Sequence, residues 1–202
     1  MKRKLIVCIA VGMAVLATPA LASASVTITL TDGNTYSPAS PPPLDFGDGG
    51  FDWEWGPGGV GNVEKHNVVQ DAALFDSGEP TTRDPDGFSV TASAGSYPYY
   101  CVIHRFGMVG EVSVRPVTAS ARASEGVRVA WADATTTTGS SYDVRYKAGK
   151  KWKPWRKKTS KPAGTFGNNG KPVKLRKKVK LQARSRAGGA RSEWSPTLKL
   201  ER

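Results

Sequence analysis

Cysteine is almost missing from this 202-residue chain, which holds two, and methionine (three) and histidine (two) are nearly as scarce. Cys8 sits in an apolar run from Leu5 to Leu16, behind Met1-Lys2-Arg3-Lys4 and ahead of Ala20-Leu21-Ala22 and Ala22-Ser23-Ala24. That charged, apolar, small-residue order is expected of an export signal over residues 1–24. Its removal takes Cys8, Met1 and Met13 away and leaves one thiol, Cys101, one thioether, Met108, and two imidazoles, His66 and His104. One cysteine excludes the internal disulfide framework on which many small exported domains depend. Such a thiol is therefore buried, joined to another chain, or bound to something.

Long apolar runs are also missing. Beyond the leader no segment approaches the roughly 18 continuous apolar residues of a membrane span, so the mature chain is expected to carry no transmembrane segment. Basic residues are rare in the first half and acidic ones in the second. Residues 25–116 hold 4 basic and 12 acidic side chains, a net −8, whereas residues 117–202 hold 22 and 5, a net +17. About 178 mature residues suit two small domains, and this asymmetry places the boundary at Arg115-Pro116.

Helical periodicity is absent too. Val26, Ile28 and Leu30 alternate with threonines, and further apolar segments at 51–55, 66–69, 88–91 and 97–114 are separated by Gly- and Pro-rich turns. In the second half Val127, Val129 and Trp131, then Tyr142, Val144 and Tyr146, then Val179, Leu181 and Ala183 alternate with polar residues, among them many Lys and Arg. Both patterns predict an all-β chain, and the second, with one packed and one wet face, predicts an antiparallel β-sandwich.

The scarce residues share one pattern. Cys101, His104 and Met108 form C-x2-H-x3-M, and a strand ending at Cys101, followed by a tight loop closing at Gly107, would aim all three into one pocket. His66 must reach it from another strand. Two imidazoles and a thiolate suit both Cu(I) and Cu(II), with a thioether as a weak axial ligand. Zinc prefers four N, S or carboxylate ligands, for which Met is a poor substitute. One copper ion, cycling between Cu(I) and Cu(II), is the expected cofactor.

Tyr36-Ser37-Pro38, His66-Asn67-Val68-Val69, Phe75-Asp76-Ser77-Gly78 and Gly95-Ser96-Tyr97-Pro98-Tyr99-Tyr100-Cys101 make residues 25–116 resemble plastocyanin, amicyanin and related cupredoxins. The resemblance implies a Greek-key sandwich, the ligands His66, Cys101, His104 and Met108, and Asn67 bracing the cysteine loop. The glycine-rich stretch Gly47 to Lys65, with Trp53 and Trp55, departs from that family. Residues 117–202 resemble a fibronectin type III domain through 127–131, 141–146, 179–187 and 192–196. Val179 stands where such domains often carry a corner tyrosine.

Lys150, Lys151, Arg156, Lys157, Lys158, Arg176, Lys177 and Lys178 lie near Trp152 and Trp155 in sequence. Such interleaving fits an anionic cell-surface polymer or membrane surface, a nucleic acid, or a solvated face on which arginines stack against tryptophans. The export signal speaks against nucleic acid. The expectation is an exported copper protein, periplasmic, cell-surface or secreted, which passes single electrons to a redox partner protein and is not an enzyme. Copper capture or delivery, and an adhesive protein without metal, are the alternatives.

Overall fold

The computed structural model describes residues 25–122, 126–147, 149–166 and 178–200, so the export signal expected over residues 1–24 lies outside the described residues. The chain is all-β there. The first half contains β1 (Val26–Thr31), β2 (Thr35–Ser37), β3 (Leu44–Asp45), β4 (Phe51–Trp55), β5 (Val69–Gln70), β6 (Phe88–Val90), β7 (Gly95–Tyr100) and β8 (Val109–Arg115). They build two four-stranded sheets, ordered β2-β1-β4-β6 and β3-β8-β7-β5.

The inward faces of both sheets meet in one core. Ile28 and Leu30 of β1 are fully buried, and parallel pairing aligns them with Trp53 and Trp55 of β4. The departure between Gly47 and Lys65 thus resolves into an ordinary alternating strand, with Phe51, Trp53 and Trp55 inside and Asp52 and Glu54 on the opposite face. Trp53 packs edge-on against Tyr99 of β7, ring centroids 5.4 Å apart, and so ties the two sheets together.

The second half contains β9 (Val117–Arg122), β10 (Gly126–Ala130), β11 (Ser141–Lys147), β12 (Trp152–Thr159), β13 (Ala163–Phe166), β14 (Val179–Ala187), β15 (Ala190–Arg191) and β16 (Leu198–Leu200). The sheet β13-β10-β9 faces a five-stranded sheet, β12-β11-β14-β15 with β16 also on β14. Val129, Trp131, Tyr142, Val144, Val179, Leu181 and Ala183 are all buried between them, so the alternation in sequence marks the core face. Val179 pairs with Leu200 and occupies core space where a tyrosine corner was considered.

The two cores touch along a polar seam. Ser93 and Tyr97 of the first half meet Thr138 and Ser185 of the second, with the Tyr97 hydroxyl 3.1 Å from Thr138 Oγ1 and 3.0 Å from Ser185 Oγ. Ala94 belongs to the second core, and its amide donates to the Trp131 carbonyl at 2.7 Å. A Cβ on Gly95 would lie 2.5 Å from Ser192 Oγ, so this close approach requires glycine. Tyr97 lies on β7, the strand that leads to Cys101, and is therefore anchored by both halves.

Candidate metal centre

Three of the four expected ligands converge. The ligand atoms of His66, Cys101 and His104 lie within 4.8 Å of one another, and Cys101 Sγ is 3.7 Å from His104 Nδ1. Cys101 and His66 are fully buried, while His104 is partly exposed. Met108 is also fully buried, in the same core as Cys101. Two backbone hydrogen bonds close its loop: Cys101 donates to the Met108 carbonyl at 3.1 Å, and the Met108 amide donates to His104 at 2.8 Å. The turn expected at Gly107 is present, its amide bonding the His104 carbonyl at 2.9 Å.

His66 arrives from outside the named strands. Its amide and carbonyl form a two-way bridge with Thr81, at 2.8 and 3.0 Å. Trp55 Nε1 donates to the same carbonyl at 3.1 Å. The unusual tryptophan strand thereby holds the backbone of the upstream ligand. Asn67 Oδ1 accepts from the Val102 amide at 3.0 Å, directly beyond Cys101, while its Nδ2 donates to Gly78 at 2.8 Å. Asn67, next to His66 in the chain, thus links the residue after Cys101 to Gly78.

Neither ring nitrogen of His66 has a hydrogen-bond partner, although both are buried. A buried imidazole normally satisfies at least its N–H, because an unmet buried polar group costs about 1–3 kcal/mol. Burial pushes the His66 pKa down and the neighbouring His104 adds to this, against smaller opposing effects of Glu64 and Asp32. The ring is thus held neutral, the form in which imidazole offers a lone pair to a metal. Two imidazoles and a thiol within 4.8 Å of one another fit a soft or borderline metal ion.

Glu64 was not singled out in the sequence. Its Oε2 lies 3.1 Å from Nε2 of His104. A carboxylate can only accept there, which suits an N–H on Nε2, and Nδ1 is the nitrogen that faces Cys101 Sγ, the arrangement a metal-bound histidine needs. Glu64→Ala is expected to weaken metal binding about 10- to 100-fold, read by competition with a chelator of known affinity. Unchanged affinity would make the pair an ordinary surface contact.

Part of the basic face is placed as well. Lys150, Lys151, Arg156, Lys157, Lys158 and Lys178 are exposed, whereas Arg176 and Lys177 lie outside the described residues. Arg156 stacks on Trp155 at 4.8 Å, and Arg145, which belongs to none of the basic runs, stacks on both Trp152 (4.6 Å) and Trp194 (4.0 Å). Among the described residues no helix is long and apolar enough to cross a membrane. No protein-family model matches the chain, and no curated protein matches it either.

Proposed function

We propose that this protein is an exported cupredoxin-like carrier of single electrons, holding one copper ion through His66, Cys101 and His104 with Met108 as a weak axial ligand. The observation that carries the reading is the unpartnered, buried, neutral His66 beside Cys101, the one thiol among the described residues, and a second imidazole whose remaining nitrogen is already engaged by Glu64. When bound, copper would supply a one-electron couple with little change in coordination.

The residues around the pocket suit transfer without bond rearrangement. The buried Cys101 and His66 exclude water from one side, and the Asn67 and Met108 backbone contacts hold the loop in one shape. His104 alone among the three is partly exposed. Val102, Ile103 and Phe106 stand exposed in its own loop, and exposed Val63 adjoins Glu64. An apolar rim of this kind supports docking of a redox partner protein over His104. The basic second half is proposed to hold the carrier at an anionic extracytoplasmic surface. No catalytic role is proposed, because His66, Cys101 and His104 are all committed to the metal.

A reversible one-electron redox titration of the copper-loaded protein tests the proposal. Met108→Gln is expected to keep copper and to lower the potential by at least about 60 mV, a tenfold change in relative affinity for a one-electron couple, since an amide oxygen favours Cu(II). Irreversible loss of copper on reduction would instead describe a delivery protein.

A further inference from the structure

The outer face of the five-stranded sheet carries a groove of about 540 Å3 between β11, β12, β14 and Trp194. Seven of its twelve lining residues are Lys or Arg, and Asp143 is the only acidic one. Asp143 is already committed. Its Oδ1 accepts the Lys158 amide at 3.0 Å, and its Oδ2 accepts Arg184 Nε and Nη2 at 3.0 and 2.8 Å and Arg186 Nη1 at 3.0 Å. Among the described residues the acceptor of Arg145 is neutral: Gln182 Oε1, at 3.0 and 2.7 Å from Nε and Nη2. Arg145 and Arg184 share the Trp194 ring at 4.0 and 4.4 Å, two like charges fixed side by side. Burial, and then the Arg184 charge, lower the Arg145 pKa, in keeping with a cation short of a counter-charge.

Stacked guanidinium planes are pre-organised donors for paired oxygens of an oxoanion. A groove of about 540 Å3 is too large for one such group and suits several in series. The tryptophans discriminate further. Trp152 carries Arg145 and Lys147, and Trp194 carries Arg145 and Arg184, so neither ring is a free platform for the base stacking that single-stranded nucleic acid uses. A concave site also fits a strand better than a flat bilayer. We propose that Arg145, Lys153, Arg156, Lys157, Arg184 and Arg186 form a discrete groove that binds a linear phosphate-bearing polymer lacking aromatic bases. This deepens the surface-association part of the proposed function and rests on it, but it is independent of the copper site.

The test uses the full chain and long-chain inorganic polyphosphate, with Kd measured from low to physiological salt. Lys153→Glu with Lys157→Glu, two exposed changes inside the groove, are expected to weaken binding at least about tenfold through loss of direct charge-assisted contacts. Lys150→Glu with Lys151→Glu alter net charge equally outside the groove and are expected to change Kd less than about twofold at physiological salt, where distant charges are screened. Arg145→Lys keeps the charge and removes the fork, and is expected to weaken binding at a temperature where the variant is still fully folded by its thermal melt. Equal losses from the two double variants would overturn the groove and leave only a diffuse basic field. Single-stranded DNA or phosphatidylglycerol vesicles binding as tightly as polyphosphate would overturn the ligand class. Absence of polyphosphate binding even at low salt would overturn both the groove and surface association, with the copper reading untouched.

Discussion

Adding Cu(II) to the purified protein is expected to produce an intense blue colour, and Cys101→Ser to abolish it. The band requires a thiolate bonded to Cu(II), and Cys101 is the one thiol in the described residues, buried and 3.7 Å from the nearest imidazole nitrogen. Serine keeps the size of the side chain and removes the sulfur, so the fold is preserved while the colour goes. The same copper should stabilise the folded chain. A ligand present at a thousandfold over its Kd adds about 4 kcal/mol to unfolding, and the variant should lose most of this increment. A strong visible band retained in Cys101→Ser, or none in the wild type, would sink the copper assignment.

The site was legible where chemistry is concentrated in a few rare residues. Residues 25–202 hold one cysteine, one methionine and two histidines, and Cys101 and His104 needed only a strand and a loop to meet, which β7 and the Gly107 turn supply. Glu64 was hidden for the opposite reason. It is one of twelve acidic residues in its half, and nothing local distinguishes it until the fold brings His104 within 3.1 Å. Trp55 was noticed only as a departure, because a side-chain bond to the His66 carbonyl leaves no mark on local periodicity.

The second half shows the same division. Alternation revealed the core face, since burial repeats every two residues along a strand. The groove depends on register between strands: Asp143 lies opposite Arg184 and Arg145 opposite Gln182 only because β11 and β14 pair in that frame. Consecutive lysines mark Lys150 and Lys151, outside the groove, in the sequence, while Arg145, Arg184 and Arg186 each stand without a charged neighbour. The seam of Ser93, Tyr97, Thr138 and Ser185 was equally invisible, being built from common hydroxyls up to 92 positions apart.

Asp143→Ala is expected to destabilise the protein by about 3–5 kcal/mol, the usual cost of removing one partner from a buried ion pair. The side chains involved are largely shielded, with 9% exposure for Asp143, 21% for Arg184 and 13% for Arg186. Alanine would strand both guanidiniums beside Arg145 and also leave the Lys158 amide without its acceptor, at a residue whose φ of 48° already lies in the left-handed region. Burial raises the Asp143 pKa, but the Lys158 amide and the Arg184 and Arg186 guanidiniums outweigh it and hold the carboxyl below its ordinary value. The sign of the pH dependence follows. The stabilisation is present in full above the ordinary carboxylate range, near pH 4, and is lost as pH falls through the lowered native value. Urea titrations of wild type and variant at neutral pH should therefore differ by the full amount, and the gap should narrow below pH 4. A gap that stayed constant into strong acid would mean that alanine acts through packing, and that the carboxylate is not what holds Arg184 and Arg186 in the groove.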